Sequence, residues 1–212
     1  MKRVLLFGAT GYVGKKFVEL YGDQYEIIQA PGSQELDFRD PDIDKVLRLA
    51  NRALDGVIFL QGCNPSVGVY EMDDAHFRGM MDINIMTPLK VIRALHRVGL
   101  LSHQASVIFV SSIARKKGSY DPAYASAKAG LQGLQATLSN YFPDVRFNSI
   151  SLGLVKDSPV HSGMTSDFVQ KHLDAMGGAL VEVNDACKTI ELLLECSSIS
   201  RAMIDVDRGY KV

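Results

Sequence analysis

A tyrosine and a lysine four residues apart, Tyr124 and Lys128, are the residues whose spacing most directly indicates chemistry. They follow Asp121-Pro122, a pair typical of a helix start, so both side chains are expected on one face of a helix. An ammonium one turn away is expected to lower the tyrosine pKa from about 10 towards neutral pH. Such a phenol can act as a general acid or base. The alternative, an ordinary pair on a solvated helix, is the commoner case for so short a motif.

Two serines, Ser111 and Ser112, end the apolar run 107–110. Its β-branched residues predict a buried strand, and the tyrosine helix follows after a polar, basic connection. A serine hydroxyl at the carboxyl end of that strand can hold a substrate oxygen beside the phenol. Serine, tyrosine and lysine in one place would form a proton-transfer site.

A glycine-rich turn, Gly8-Ala-Thr-Gly11-Tyr-Val-Gly14, follows a short apolar strand at 4–7 and leads into a predicted helix at 12–20. Glycines at such a turn let the backbone approach a pyrophosphate, and the helix amino terminus supplies N–H groups. The spacing is G-x-x-G-x-x-G, less specific than G-x-G-x-x-G, so tight packing is the alternative. Its position at the first strand of an α/β pattern favours a nucleotide site.

Together these motifs resemble those of the short-chain dehydrogenases/reductases, and the likeness runs from Val4 to the C-terminus. The resemblance implies four catalytic residues: Ser112, Tyr124, Lys128 and Asn84. Asn84 falls where the family keeps a helix asparagine that helps organise a proton-relay water. The register of the strand end favours Ser112 as the catalytic serine, whereas counting back from Tyr124 favours Ser111. The sequence leaves both open.

The same resemblance implies a set of cofactor-binding residues. They are Gly8, Thr10, Gly11, Tyr12, Val13, Gly14, Ser33, Asp37, Gly62, Ser111, Tyr124, Lys128, Gly153 and Val155. Asp37 matches a family aspartate that contacts the adenine ring, and a turn residue at a strand end is an equal alternative. Gly153 and Val155 belong to a segment that contacts the nicotinamide carboxamide in the family, although the usual proline before the glycine is missing.

The residues after the second predicted strand bear on the choice of cofactor. An acidic residue there would bind the ribose hydroxyls of NAD and repel a 2′-phosphate. The chain instead has Gln29-Ala-Pro-Gly-Ser33, with no carboxylate before Glu35 and no arginine to clamp a phosphate. Ser33, with Lys15 or Lys16 nearby, can accommodate the phosphate. NADP(H) is therefore favoured, with NAD(H) as the alternative.

The elements expected to position these residues alternate between strands and helices. This pattern predicts a doubly wound, mostly parallel α/β sheet in a single domain over residues 1–212. Predicted strands lie at 4–7, 25–30, 34–37, 56–62, 107–110, 145–153 and 203–210, and predicted helices at 12–20, 41–54, 74–98, from 122 onwards and at 183–195. A polar segment at about 155–180 is interpreted as a substrate-covering loop. His161 and His172 within it are interpreted as solvated residues, with contact to the substrate as the alternative.

Charge and cysteine usage exclude several classes of function. A formal net charge of −1 gives no electrostatic reason to expect nucleic acid or an anionic membrane as partner. No apolar run approaches the length of a membrane span. The three cysteines, Cys63, Cys187 and Cys196, lack metal-ligand spacing, so no metal site is predicted. Unpaired thiols fit a reducing cytoplasm, and Cys63 is interpreted as a small buried packing residue.

The predicted function is reversible hydride transfer between a nicotinamide cofactor and a carbonyl or secondary alcohol of a small molecule. One alternative is isomerase or dehydratase chemistry on a sugar nucleotide, against which the missing C-terminal extension counts. The other is a non-catalytic NAD(P)-sensing protein, which would have no need of Tyr124. The family also implies a homodimer or homotetramer. Small residues along the tyrosine helix, Ala125, Ala129 and Gly133, permit close approach of a second copy or close packing on the sheet.

Overall fold

The computed structural model describes residues 1–32 and 34–211. Its sheet consists of the strands β1 (Lys2–Phe7), β2 (Tyr25–Gln29), β3 (Leu54–Phe59), β4 (Leu101–Ser112), β5 (Arg146–Leu152) and β6 (Met203–Val206). The strands are all parallel and lie in the order β2-β1-β3-β4-β5-β6. The direction of winding reverses between β1 and β3, and ligands bind at such a switch point, outside the carboxyl ends of the strands. The predicted doubly wound α/β sheet is confirmed.

Helices cover both faces of the sheet. They are α1 (Tyr12–Tyr21), α2 (Ile43–Ala50), α3 (Asp74–Met81), α4 (Thr87–Arg97), α5 (Ala114–Lys117), α6 (Pro122–Tyr141), α7 (Pro159–Ser162), α8 (Ser166–Ala175) and α9 (Val183–Glu195). Helices α1 and α9 pack on one face, and α2, α4 and α6 pack on the other. Among the described residues, none of the helices is both long and apolar enough to cross a membrane.

The inner strands β1, β3 and β5 are buried on both faces, which explains the continuous apolar runs of β1 and β3. In β1, Val4 and Leu6 face α1 and α9, while Leu5 and Phe7 face the other layer. On that second face a row of four phenylalanines crosses neighbouring strands: Phe7, Phe59, Phe109 and Phe147. Successive rings are stacked with centroids 5.0, 5.7 and 6.4 Å apart. This row aligns the strand ends near which the site residues lie.

The strand predicted at 34–37 is wrong. The amides of Glu35 and Leu36 both donate to the carbonyl of Gly32, at 2.9 and 3.0 Å, so the backbone here forms a local turn. Leu36 is buried among the residues of the α2 face, which explains its apolar character without a strand. The sheet therefore has six strands in the described residues, one fewer than predicted.

The helix predicted at 74–98 is interrupted by a π-helical stretch, Asp82–Met86. Pro88 has no N–H to donate to the carbonyl four residues earlier, that of Asn84. The amide of Thr87 instead reaches back five residues to the carbonyl of Asp82. A π-turn of this kind often marks a functional site.

Several other boundaries differ from the prediction, among them the start of β4 at Leu101 and the end of β6 at Val206. The helix predicted at 41–54 ends at Ala50, because Asn51 caps it in the left-handed conformation with φ 37°. The predicted loop at 155–180 contains α7 and α8, and Ser158 starts α7 by accepting a hydrogen bond from the amide of His161 at 3.2 Å. The segment is therefore a helical wall beside the carboxyl ends of the strands.

Candidate active site

A cleft of about 660 Å³ opens at the carboxyl ends of the central strands. Eleven of the residues predicted from the sequence line it: Gly8, Gly11, Tyr12, Val13, Gly14, Gly62, Ser111, Ser112, Tyr124, Lys128 and Val155. The fold thus brings the glycine turn and the Ser–Tyr–Lys group together, although nearly 100 residues separate Gly14 from Ser112 in the chain.

The glycine turn is shaped by close approach of one backbone segment to another. Gly8 has φ 80°, and a Cβ added to it would lie 2.8 Å from the amide nitrogen of Gln61. A Cβ on Gly14 would lie 2.2 Å from the carbonyl oxygen of Gly8. Gly11 caps α1 without a side-chain hydrogen bond, so the first N–H groups of the helix are left for a ligand. This arrangement suits a pyrophosphate.

Asp121 fixes the start of α6. It is fully buried, and its Oδ1 accepts a hydrogen bond from the amide of Tyr124 at 3.0 Å. Its Oδ2 lies 2.8 Å from Nε2 of His76 on α3. Pro122 occupies the first turn, as the sequence predicts. The phenol of Tyr124 is therefore held in the first turn of a well-capped helix.

The two serines at the end of β4 have different surroundings. Ser111 is buried, and its hydroxyl donates to the carbonyl of Lys128 at 2.8 Å, which ties β4 to α6. The hydroxyl of Ser112 lies next to the phenol of Tyr124 and lowers its pKa, and both residues line the cleft. The amide of Ala114 donates to Oγ of Ser112 at 3.2 Å and fixes its position. Of the two candidates left open by the sequence, Ser112 is the one that faces the tyrosine.

The pKa of Tyr124 differs from the sequence prediction. Burial raises the pKa of Tyr124, and the neighbouring hydroxyl of Ser112 lowers it in part. Lys128 does not act as expected, because its Nζ donates to the carbonyl of Val110 at 2.8 Å and lies 5.8 Å from the centre of the tyrosine ring. Burial also lowers the pKa of Lys128 to about 8. The phenol is therefore protonated at neutral pH, as a proton donor must be.

Asn84 lies behind the cleft, in the π-helical stretch. Its Nδ2 donates to the carbonyl of Met80 at 2.9 Å, while its Oδ1 is buried without a hydrogen-bond partner in the described part of the chain. A Cβ on Gly62 would lie 3.3 Å from that Oδ1 and 3.2 Å from Nζ of Lys128. A small cavity of about 10 Å³, lined by residues that include Gln61, adjoins Asn84 and Lys128. This volume is about that of one water molecule measured with a water-sized probe.

Three predicted residues lie away from the cleft. Asp37 is predicted to contact adenine. Its exposed carboxylate instead forms an ion pair with Arg39 at 2.9 Å. Thr10 is exposed beside Gly32, where an added Cβ would lie 3.7 Å from its Oγ1. Gly153 lines an adjoining cavity instead. A further predicted residue, Ser33, lies outside the residues that the structure describes.

The adjoining cavity, which we call the side pocket, has a volume of about 450 Å³ and is lined by residues of α5, α7 and α8. It shares Ser112 and Tyr124 with the cleft. His172 lines it and is 9% exposed, so its interpretation as a solvated residue is wrong. The reason is that α8 packs His172 against Tyr210, with ring centroids 5.7 Å apart. His161, by contrast, accepts a hydrogen bond at Nδ1 from the amide of Asp157 at 2.9 Å.

Sequence reasoning missed several residues that follow β3. Cys63 is exposed and lines the cleft, so its interpretation as a buried packing residue is wrong. Asn64 and Ser66 line both the cleft and the side pocket. The signal available was their position, since residues just after a central parallel strand lie at the edge where ligands bind.

Comparisons with known proteins agree with the fold. Residues 43–211 match a family model described as Enoyl-(Acyl carrier protein) reductase. A short chain dehydrogenase family protein from Francisella tularensis superposes with a TM-score of 0.82 at 20% identity, over 99% of this chain and 98% of the other. 4-Hydroxyisoleucine dehydrogenase complexed with NADH superposes with a TM-score of 0.82 at 17% identity, over 100% of this chain and 99% of the other. A small-chain dehydrogenase in complex with NADPH superposes with a TM-score of 0.80 at 20% identity, over 98% of this chain and 97% of the other. None of the curated protein sequences matches this chain significantly.

Proposed function

The chain belongs to the short-chain dehydrogenase/reductase superfamily of NAD(P)-dependent oxidoreductases, and we propose that it transfers hydride between nicotinamide and a carbonyl or secondary alcohol of a small molecule. One observation carries this proposal. Ser112 and Tyr124 line the same cleft as the glycine turn and the buried amine of Lys128, and the hydroxyl of Ser112 is close enough to the phenol to lower its pKa. The cleft therefore contains both an acid for the oxygen of a substrate and a backbone turn suited to a dinucleotide.

The residues of the cleft fit a nicotinamide dinucleotide. A Cβ on Gly8 or Gly14 would collide with neighbouring backbone, so these glycines allow the tight turn that lines the cleft, and the N-terminus of α1 faces the same space. Gly62 keeps the floor of the cleft open beside Lys128. A nicotinamide bound in this cleft supplies or accepts the hydride. Lys128 has N–H groups beyond the one bonded to Val110, and these hold the ribose hydroxyls.

The chain's own residues handle the proton. In the reductive direction Tyr124 donates its phenolic proton to the carbonyl oxygen, and the hydroxyl of Ser112 holds that oxygen in place. Burial keeps the pKa of Tyr124 high, so the proton is present at neutral pH. Asn84 Oδ1 and the water-sized cavity beside Lys128 provide the site for a water that returns the proton from solvent. The partner-free Oδ1 supports this role.

The finer proposal on the cofactor is a preference for NADP(H). The described residues that follow β2 carry no carboxylate up to Glu35, so nothing there repels a 2′-phosphate. Lys16 is paired with Glu19 at 2.6 Å, whereas Lys15 is exposed on the first turns of α1 and is available to a phosphate. One charge-assisted hydrogen bond contributes roughly 1.5–3 kcal/mol, equivalent to about 10- to 100-fold in affinity.

The first prediction tests the function and the cofactor together. We expect NADPH to bind the protein at least about tenfold more tightly than NADH, for the reason just given. Cofactor fluorescence gives both dissociation constants. A panel of ketones and aldehydes, followed at the nicotinamide absorbance, then shows turnover with NADPH. Equal affinities would contradict the NADP(H) preference, and binding without turnover of any carbonyl would favour a sensor over an oxidoreductase.

We also propose that the protein is a homodimer or homotetramer that uses the outer face of α6. An apolar groove of about 620 Å³ runs between α6 and the α3–α4 segment, lined by Ile85, Leu89 and Leu134 among others. Gly133 and Ala129 are exposed and do not pack on the sheet, and nothing lies within 4 Å of a Cβ added to Gly133. Of the two interpretations of these small residues, close approach of a second copy is the one supported.

The second prediction concerns this face. Gly133→Arg places a long charged side chain in the groove and is expected to convert the oligomer to a monomer, because an unpaired charge in an apolar interface is costly. Size-exclusion chromatography with light scattering measures the mass. Ser197→Arg, at an exposed position after α9 on the other side of the sheet, is the matched control. A wild-type monomer, or an unchanged mass for Gly133→Arg, would contradict the proposed interface.

The location we propose is a reducing cytoplasm. All three cysteines are free thiols, and Cys63 is exposed in the cleft. An exposed unpaired thiol persists in a compartment that keeps thiols reduced.

A further inference from the structure

The side pocket has an uneven distribution of charge. In the part of the chain that the structure describes, its lining includes the cationic Lys117 and the imidazole of His172 but no aspartate or glutamate. The chain as a whole has 23 lysines and arginines against 24 acidic residues, so the lining of this pocket is more cationic than the chain as a whole. The pocket adjoins the Ser112–Tyr124 pair.

Lys117 differs from the two cations that precede it. Arg115 pairs with Asp205 at 2.6 Å, and Lys116 pairs with the same carboxylate. Lys117, the last residue of α5, makes no ion pair among the described residues and lines the side pocket. Lys117 is exposed, and desolvation of part of its side chain lowers the pKa of its ammonium, so an anion in the pocket would meet a cation that has no ion-pair partner in the described structure.

His172 provides a second polar group without a partner. The residue is 9% exposed, and its Nδ1 is buried without a hydrogen bond in the described structure. Burial and the neighbouring Lys117 both lower the pKa of His172, which keeps the imidazole neutral at neutral pH. Buried polar atoms are nearly always satisfied, so an imidazole left unpaired in a ligand cavity indicates that a ligand completes it.

The remainder of the side pocket is apolar and partly open to solvent. Phe168 is 56% exposed and Val160 is 48% exposed, and both line the pocket together with Met164 and Leu154. Large apolar side chains that are exposed at a cavity become buried when a ligand with an apolar body binds.

We propose that the side pocket binds a carbonyl substrate that carries an anionic group, a carboxylate or a phosphate, on an apolar body, and that Lys117 determines this specificity. This inference rests on the proposed function, because it names the substrate class of the same site. Ser112 and Tyr124 hold the carbonyl oxygen at the junction with the cleft, Lys117 holds the anion, and His172 donates a hydrogen bond to it. The apolar wall covers the body of the substrate.

The test compares probes that share a ketone and an aromatic ring and differ in the group at the far end of the ring. 4-Acetylbenzoate carries a ketone, an aromatic ring and a carboxylate, its methyl ester is neutral, and 4-acetylphenyl phosphate replaces the carboxylate with a phosphate. Calorimetry measures their binding to the cofactor-loaded protein, and the nicotinamide absorbance measures kcat/KM. We expect the wild type to favour at least one anionic probe over the ester by about tenfold or more, since a charge-assisted hydrogen bond contributes that much. The better of the two identifies the anion.

Three variants assign the preference to one residue. Lys117→Gln is expected to reduce affinity for the anionic probe about tenfold and to leave the ester unchanged, and Lys117→Arg is expected to retain most of the preference. Lys116→Gln removes the same charge one residue away, outside the pocket lining, and should behave as wild type. Equal effects of Lys116→Gln and Lys117→Gln would show a general surface charge effect and overturn the proposal.

Binding and turnover separate this inference from the proposed function. Lys117-dependent binding of an anion without hydride transfer to any probe would support the pocket assignment and contradict the oxidoreductase. Turnover of the ester as efficiently as the acid and the phosphate would support the oxidoreductase and overturn the anionic substrate. Failure of both anionic probes to bind at millimolar concentration would also overturn it.

Discussion

Tyr124→Phe is expected to reduce carbonyl reduction about a thousandfold, within the range by which a positioned general acid accelerates a reaction. The phenol lies beside Ser112 in the cleft, and phenylalanine keeps the ring but removes the proton. The measurement is kcat/KM with NADPH and the best carbonyl of the panel. Loss of the hydroxyl should lower kcat more than it raises KM, because the proton moves in the transition state.

The fold around the variant should be preserved. The amide of Tyr124, and not its hydroxyl, bonds to Asp121, so the cap of α6 remains. The glycine turn and Lys128 are untouched, and the dissociation constant for NADPH is expected to stay within about threefold. Tyr70→Phe is the matched control, since Tyr70 is 99% exposed. A Tyr124→Phe enzyme with most of its activity would show that another group supplies the proton.

The parts of the fold that the sequence predicts correctly are those with strong local signals. Strand β1 followed by Gly8, Gly11 and Gly14 has an apolar run, a turn and a helix start within about a dozen residues. Helix α6 has Asp121-Pro122 at its start, and the structure uses both as predicted. In each case the forces that form the element act between neighbours in the chain.

The parts that the sequence could not give depend on contacts between distant segments. Leu36 has the apolar character of a strand residue, yet it is buried by the α2 layer while its backbone forms a turn. Ser111 and Ser112 differ only in which side of β4 each faces, and this became clear from the bond of Ser111 to Lys128. His172 is buried because α8 packs against Tyr210, 38 residues further along the chain. The sequence therefore predicts which residues carry the chemistry of the site better than it predicts which residues line the pocket around them.

The second large effect is expected from Lys128→Met, which should stabilise the protein while reducing its activity about a hundredfold or more. Lys128 is 5% exposed, and burial lowers its pKa from 10.5 to about 8. A difference of this size corresponds to roughly 3 kcal/mol of destabilisation by the buried charge at pH 7. Loss of the hydrogen bond to Val110 offsets about 1 kcal/mol. The variant is therefore expected to be more stable by about 2 kcal/mol at pH 7.

The pH dependence identifies the cause of this difference. Below pH 8 the amine is protonated in both the folded and the unfolded state, so the wild type bears the full cost of the buried charge. Between pH 8 and 10.5 the folded state releases the proton while the unfolded state keeps it, so the stability of the wild type rises with pH. Methionine has no such transition, and the advantage of Lys128→Met should therefore disappear by about pH 10.5.

Urea denaturation of the cofactor-free protein at pH 7 and at pH 10 measures both free energies of unfolding. The difference in free energy of unfolding between variant and wild type removes the contributions of the other titrating groups, because both proteins share them. One such group is Cys187, whose pKa is raised to about 11 by burial. Lys188→Met on α9 is the matched control, because its side chain is 71% exposed and should give the same difference at both pH values. A Lys128→Met protein that is less stable than wild type at pH 7 would show that the ammonium is well solvated or fully paired. In that event Lys128 would not be the desolvated amine on which cofactor binding and proton return depend in this site.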